Sequence, residues 1–330
     1  MATPKELKTV AVIGNGIIGH GVAEVFAAGG AQVRMIGRRL DSLKAALGKI
    51  RASLRQFADN GLTTKGRAAA ALKRITVSTD MTNAAGADLV IEAVPEDMDL
   101  KTELFGRLDR LCPPPAVLAT SSGHPASEVV GKVSRRERVV AAHFWFPPQL
   151  IPLVEVCGGP ETASDVVTWT CDVLRAVGKQ PVVIAKEVPG FIGNRIQFAA
   201  LREAWSLWAS GAASAEAIDA VVRYSIGRRL GVTGPIESAD LGGLDTFYNF
   251  ARFLQPTLDA APMPPDAIAR LAAAGHRGMS SGRGAYDWSS RDGAALLAAR
   301  KAELIRWLKV DAVRQKKAKK KPAKAKSRRK

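Results

Sequence analysis

The sequence predicts an α/β domain with a parallel sheet in its first half and an all-α domain behind it. Three observations carry this. Short apolar, β-rich runs alternate with helical patterns up to residue 187, as β-α-β units require. From Pro189 onward strand-like runs vanish, and long amphipathic segments rich in Ala, Leu and Trp take over. The 330 residues are enough for two separate cores.

Each element follows from its local pattern. Thr9–Ile13 and Gln32–Ile36 read as strands, with a helical pattern over Ile17–Ala28 between them. A second helix spans Asp41–Ala58, followed by strands at Ile75–Ser78 and Asp88–Val94. Leu100–Leu111 has helical spacing, and Ala116–Thr120, Arg138–Phe144 and Leu153–Cys157 are again apolar and β-rich. The helix Asp165–Val177 and the strand Pro181–Ala185 complete this half. In the second half Phe191–Ser210 and Ala215–Tyr224 are helical, with Gly211 as a stop and Ser214 as an N-cap. The chain therefore divides into residues 1–187, an all-α domain over 188–310, and a basic tail over 311–330. No internal repeat is present.

Composition limits the function classes. The chain is 47% hydrophobic and 24% charged, ordinary for a globular protein, and has no apolar run long enough to span a bilayer. Residues Met1 to Lys8 lack a signal-peptide core, and Cys112, Cys157 and Cys171 are too widely spaced for a redox or metal motif. A cytoplasmic enzyme without a metal is the expectation. The net charge is +17, but eleven Lys/Arg against one Asp between Asp311 and Lys330 account for +10 of it. Gln315–Lys330 offers no apolar face, so a tail without regular structure is expected, either simply solvated or in weak contact with polyanions.

The first motif with chemistry is Gly14-Asn15-Gly16-Ile17-Ile18-Gly19, directly between a strand and a helix. There the glycines permit a tight turn, close approach of backbone to a pyrophosphate, and close helix–strand packing, while the helix N-terminus offers free N–H groups. This makes the first half a Rossmann-type domain binding NAD or NADP. The second strand ends Met35-Ile36-Gly37-Arg38-Arg39, with glycine where an NAD site normally carries an acid for the ribose hydroxyls. Two guanidiniums suit a 2′-phosphate, so Arg38 and Arg39 favour NADP. The alternative is that Arg38 stacks on adenine and NAD is accepted.

The second motif is Ala142-His143-Phe144-Trp145-Phe146-Pro147-Pro148 at a strand end, twelve residues before Glu155 in Leu153-Val154-Glu155-Val156. A carboxylate in an apolar strand needs a partner, and an imidazole is a natural one. Such a pair fixes the tautomer and lets His143 remove a hydroxyl proton as hydride leaves. On pattern alone a structural histidine capping the strand is equally open.

Taken together these blocks resemble the 3-hydroxyacyl-CoA dehydrogenase family, which includes lambda-crystallin/gulonate dehydrogenase and carnitine dehydrogenase. The likeness runs from Lys8 to Trp288 and includes Asp88–Glu96, Thr120-Ser121-Ser122, Pro152–Glu155, Pro189–Arg195, Gly234–Asp245 and Ser281–Trp288. It implies His143 and Glu155 as the catalytic pair, and Ser122 as the hydroxyl that contacts the substrate 3-oxygen near the nicotinamide. Asn194 would polarise the substrate carbonyl, and Glu96 and Lys101 would be cofactor contacts. It also implies a homodimer formed through the helical domain. Two positions depart from the pattern: Phe146 stands where the family usually has Asn, and Ser280 where it usually has Lys. Asp240 and Asp245 read as caps and turn formers. Arg55, Lys65 and Arg67 are candidates for CoA phosphates, with a solvated helix face equally open. The expected activity is oxidation of a short-chain 3-hydroxyacyl-CoA. A non-CoA 3-hydroxy acid such as carnitine or gulonate is the close rival, and a catalytically idle dinucleotide-binding structural protein the distant one.

Overall fold

The structure is a computed structural model of the chain that describes residues 7–326, with side chains through Arg314. Two compact units result: the residues up to Ile192 together with those from Arg300 on, and Gly193–Ala299. The first unit thus extends a few residues beyond the expected 1–187, and the last helix, from Arg300 on, packs with it as well.

The first unit holds β1 (Thr9–Ile13), α1 (Gly19–Gly29), β2 (Gln32–Ile36), α2 (Leu40–Asp59), α3 (Lys65–Lys73) and β3 (Ile75–Ser78). Then come β4 (Leu89–Glu92), α4 (Met98–Leu111), β5 (Val117–Thr120), β6 (Val139–Phe144), β7 (Leu153–Gly158), α5 (Ser164–Ala176) and β8 (Gln180–Val183). They form one eight-stranded sheet in the order β3-β2-β1-β4-β5-β6-β7-β8. Central strands are buried on both faces: Val10 and Val12 join the core cluster beneath α1, while Ala11 and Ile13 join the opposite one with Phe105. This double burial explains why these strands read as continuous apolar runs.

The sheet is mostly parallel, as expected, with one antiparallel pair. β7 pairs with β6 antiparallel, because Trp145–Pro152 is too short for a crossover helix. α3 was also not legible from its sequence, which is Ala-rich without an apolar stripe.

The second unit is all-α. It contains most of α6 (Phe191–Ala209), then α7 (Ala215–Tyr224), α8 (Ile226–Arg229), α9 (Pro235–Gly242), α10 (Leu244–Leu254) and α11 (Asp266–Ala273). The Ser214 hydroxyl caps α7 by accepting from the Ala217 N–H, and Gly211 takes a φ of 75° after α6, as the sequence predicts. No residue of α7–α11 is buried, and Ile236, Leu241 and Phe253 are among its exposed side chains. α12 (Gly293–Lys326) crosses back into the first unit, where Ile305 is buried. Its backbone stays helical to Lys326, where composition leads one to expect no regular structure from residue 311. Lys and Ala are strong helix formers and here extend a helix already anchored at Ile305. Residues 327–330 of the expected tail lie outside the described residues.

Candidate active site

β1, β4, β5 and β6 run parallel, so the turns that leave them share one edge of the sheet. Gly14 opens the first turn with a φ of +107°, and its N–H donates to the Ile36 carbonyl at 2.7 Å. A Cβ there would lie 2.4 Å from the Ala93 carbonyl oxygen, and one on Gly19 would lie 2.0 Å from that of Gly14. Packing alone thus requires those two glycines. Gly16 is different: no protein atom lies within 4 Å of where its Cβ would be. The protein's own packing does not ask for glycine there, whereas a pyrophosphate drawn against the backbone would.

α1 begins at Gly19, slightly later than periodicity suggests, so Asn15, Ile17 and Ile18 belong to the turn. Ile17 is exposed. No side chain caps the helix, and no acid lies in its first turn. Its free N–H groups and positive dipole end are therefore left for an anion. Burial holds the His20 imidazole below its usual pKa, and its Nδ1 lies 2.5 Å from the Gly16 carbonyl oxygen. These features fit a dinucleotide.

At the end of β2 the two-arginine expectation is revised. Arg39 is committed to Asp41, through Nε to Oδ1 at 3.1 Å and through a second contact from Nη2 to Oδ2. The Arg39 hydrogen bond holds the exposed Asp41 carboxyl below its usual range. Arg38 is exposed and has no ion pair among the described residues, so it is the one free guanidinium here. A side chain on Gly37 would meet Asn15 Oδ1 at 2.7 Å. Asn15 fills that space and donates to the Ser42 hydroxyl at 3.1 Å.

The antiparallel register places His143 directly opposite Glu155. His143 Nδ1 is 2.9 Å from Glu155 Oε2, and the same oxygen accepts from the Trp145 indole N–H at 3.1 Å. Glu155 Oε1 accepts from the Ile192 backbone N–H at 3.0 Å. These donors sustain a carboxylate that is only 2% exposed. The rings of Trp145 and Phe191 both lie 5.8 Å from the imidazole, tilted by 57° and 42°. Phe191 is fully buried with a φ of +49°, a left-handed conformation that costs about 1–2 kcal/mol outside glycine. That backbone twist, following Gly190, seats the ring beside the histidine and turns the next N–H onto Glu155. Sequence reasoning missed Phe191 and Ile192 as parts of the site. The unusual backbone after Pro189-Gly190 leaves no side-chain signature beyond that glycine.

A second network joins β4 and β5. The Ser122 hydroxyl donates to Glu96 at 2.7 Å and accepts from the His124 N–H at 3.0 Å. Its own N–H donates to Thr120 Oγ1 at 3.2 Å, and Thr120 donates to Glu92 at 2.7 Å. Glu92, fully buried, also accepts from the Val94 N–H and the Lys101 ammonium, each at 2.7 Å. Lys101 is 1% exposed and lies 3.5 Å from Glu96. Lys101, expected with Glu96 as a cofactor contact, thus joins an interior ion pair with Glu92 and lies beside Glu96 under the Ser122 loop. Glu92 was missed, although an acid closing the apolar run Leu89-Val90-Ile91 is the same signal that marked Glu155. Asn194 lies on α6 in the second unit, outside the groups the first unit assembles. Phe146 is half exposed at the end of β6.

Away from this edge, a cavity of about 640 Å³ lies on the outer side of α1, lined among others by Glu24, Arg67, Arg74, Lys179 and Asp311. It contains none of the groups just described. Among the described residues no helix is long and apolar enough to cross a membrane.

Comparison with known proteins agrees with this geometry. Residues 9–188 match the model of the 3-hydroxyacyl-CoA dehydrogenase NAD binding domain, and residues 190–288 that of the C-terminal domain of the same family. The chain is 34% identical over 307 residues to 5-formyl-3-hydroxy-2-methylpyridine 4-carboxylate 5-dehydrogenase of Mesorhizobium japonicum, covering 91% of this chain and 96% of the relative. It is 33% identical to the probable 3-hydroxybutyryl-CoA dehydrogenase of Bacillus subtilis, over 87% of this chain and 99% of the relative. It is 38% identical to L-carnitine dehydrogenase of Streptomyces coelicolor, over 74% and 76%. A crystal structure of the pyridine carboxylate enzyme, described as an NAD+ dependent dismutase, superposes with a TM-score of 0.85 at 29% identity, over 92% of this chain and 98% of that one. With both family domains matched in order behind a glycine turn and a histidine–carboxylate pair, this chain belongs to the 3-hydroxyacyl-CoA dehydrogenase family, whose members are NAD-dependent dehydrogenases acting on a CH–OH group.

Proposed function

We propose that the chain oxidises the hydroxyl carbon of a short-chain 3-hydroxyacyl-CoA, such as 3-hydroxybutyryl-CoA, to the 3-oxoacyl-CoA, and also runs the reverse reduction. The observation that carries this reading is the 2.9 Å contact between His143 Nδ1 and the buried Glu155 carboxylate. The carboxylate accepts the Nδ1 hydrogen, which leaves the Nε2 lone pair to take the substrate's hydroxyl proton. Glu155 then stabilises the imidazolium. A nicotinamide, when bound, supplies the hydride acceptor. The Gly14–Gly19 turn, Arg38 and Glu96 are the groups that would hold the dinucleotide. Ser122 would contact the substrate's 3-oxygen. Asn194 would donate to the carbonyl and stabilise enolate-like charge. Arg55, Lys65 and Arg67, on or beside the α2–α3 hairpin, are candidates for the CoA phosphates.

The likeness to L-carnitine dehydrogenase and to the pyridine carboxylate enzyme supports a second reading, a non-CoA hydroxy acid. Oxidation or reduction of the dinucleotide with acetoacetyl-CoA, carnitine and gulonate separates the cases. The proposal predicts the highest kcat/KM with acetoacetyl-CoA. A higher value with either free acid moves the substrate to that class. Tight dinucleotide binding without turnover of any substrate indicates a structural protein.

Within this reading NADP is the preferred cofactor, supported by the unpaired Arg38 and by the absence of a ribose-binding acid at Gly37. Replacing Arg38→Asp should shift the kcat/KM ratio toward NAD by about tenfold or more, in line with a charge-assisted hydrogen bond. An unchanged NADP/NAD ratio contradicts the arginine assignment. The exposed apolar side chains of α9 and α10 support pairing of two copies of the chain through the second unit.

A further inference from the structure

We propose that Lys179, between α5 and β8, is a positioning residue for the hydride-transfer site: its ammonium clamps the β6–β7 connection, and through it the Trp145–Glu155–His143 contacts. The kinetic consequence rests on the dehydrogenase reading, whereas the clamp itself does not. Lys179 is only 6% exposed. Its Nζ donates to the Ile151 carbonyl at 2.9 Å and also to the Pro148 carbonyl. Within the same connection the Leu150 and Ile151 N–H groups both donate to the Pro147 carbonyl at 2.9 Å. The neighbouring Gln180 N–H donates to the Pro152 carbonyl at 2.9 Å. One side chain thus fastens the middle of the connection, and the residue after it fastens the end.

What the connection carries gives the clamp its consequence. Trp145 opens it, and the indole N–H donates to the Glu155 oxygen that also meets His143. α1, the helix behind the glycine turn, packs against its middle: a Cβ on Gly21 would lie 2.6 Å from Gln149 Oε1 and 2.9 Å from Pro148 Cδ. The loop is therefore held between the dinucleotide helix and a buried cation. Burying a charge is costly unless it is hydrogen-bonded, and this one is spent on backbone carbonyls. Charge-assisted bonds of this kind are roughly twice as strong as neutral ones. A neutral amine would keep two donors but lose that assistance.

The clamp is consequently sensitive to pH. Burial lowers the Lys179 pKa to about 8, against the attraction of Glu24 on α1. Arg67 and Arg74, in and just after α3, and Asp311 on α12 line the cavity that Lys179 and Glu24 share, and Lys301 on α12 acts on Glu24. The ammonium is present below about pH 8 and is lost as pH rises through that value.

The test compares wild type with Lys179→Met, Lys179→Arg and Glu24→Gln in the oxidation of 3-hydroxybutyryl-CoA across this pH range. In that direction a histidine base limits the rate only at low pH, so an alkaline decline reports another group. At neutral pH Lys179→Met should lower kcat by about 10-fold to 10²-fold, the cost of a misplacement of about 1 Å, with KM and dinucleotide Kd nearly unchanged. Wild-type kcat should decline above about pH 8. Lys179→Arg, always charged and with the cavity beside it for the larger head, should keep kcat near wild type and lose the decline. Glu24→Gln should move the decline to lower pH, because it removes the charge that favours the ammonium. Tryptophan emission, followed without substrate, should titrate over the same interval in wild type and stay flat in Lys179→Met, Lys179→Arg and Trp145→Phe. A Lys179→Met kcat within a few-fold of wild type, or an alkaline decline that survives in Lys179→Arg, overturns the proposal. If Lys179→Met does not fold, the Lys179→Arg and Glu24→Gln profiles decide. If wild type turns over no substrate, the dehydrogenase reading fails and the emission decides alone: a titration that requires both Lys179 and Trp145 upholds the clamp, and one indifferent to either refutes it.

Discussion

A carboxylate that is 2% exposed survives at position 155 because donors converge on it, among them the imidazole, the Trp145 indole and the Ile192 backbone. Glu24 shows the opposite case. It too is 2% exposed, yet only Oε1 has a partner, the Ser53 hydroxyl at 2.7 Å, and Oε2 has none. Burial pushes its pKa up to about 7 against the pull of Ser53, Lys301 and Lys179. Because the folded value lies above the unfolded one, the neutral acid is favoured in the fold. Its contribution is fully present below about pH 4.5 and is lost as pH rises through about 7. Glu24→Gln should therefore raise stability by about 1–3 kcal/mol at neutral pH and little near pH 5. Thermal unfolding at the two pH values checks this, and an equal shift at both contradicts it. At this scale the sequence revealed residue types but not their commitments. His143 and Glu155 were marked by an acid in an apolar strand, whereas the pairing of Arg39 with Asp41 and of Lys101 with Glu92 depends on rotamers and burial that no spacing encodes.

The elements set the geometry in which those residues act. The short β6–β7 connection fixes an antiparallel register, and a slip of one residue would send Glu155 to the other face of the sheet. The glycine turn makes a sharper prediction because its members serve different masters. Gly14→Ala would put a Cβ against the Ala93 backbone at a φ of +107°, so it should cost about 2 kcal/mol or more of stability. Gly16→Ala meets no protein atom and should leave the melting temperature unchanged while weakening dinucleotide affinity by about tenfold or more, since the pyrophosphate needs that close approach. Paired melting and dinucleotide titration decide it: a destabilised Gly16→Ala protein, or one with normal affinity, contradicts the assignment. β1, β2 and β3 were legible to the residue because each is an apolar run cut off by turn residues. α3 was not, since its Ala-rich sequence carries no periodic contrast.

On the scale of the whole molecule, the first unit contains the two core clusters while α7–α11 bury nothing. Leu241 is 78% exposed and Phe253 74%, surface that a second copy of the chain would cover. Sedimentation velocity should find a dimer, and Leu241→Glu should shift it toward monomer without lowering dinucleotide affinity. A monomeric wild type, or a dimer indifferent to Leu241→Glu, contradicts pairing through this surface. The division into a sheet domain and a helical domain was legible from the change in periodicity at Pro189. The return of α12 to the first unit was not, because Ile305 packs through tertiary contact alone.

The central claim is that His143, braced by Glu155, is the base that takes the substrate's proton. The most direct measurement compares His143→Ala with wild type for kcat on 3-hydroxybutyryl-CoA and for dinucleotide affinity by fluorescence titration. Loss of a general base predicts a kcat lower by about 10²–10⁴-fold with the dinucleotide Kd unchanged. A kcat within a few-fold of wild type, or a Kd that worsens as much as the rate falls, would contradict the claim and leave the histidine a structural role.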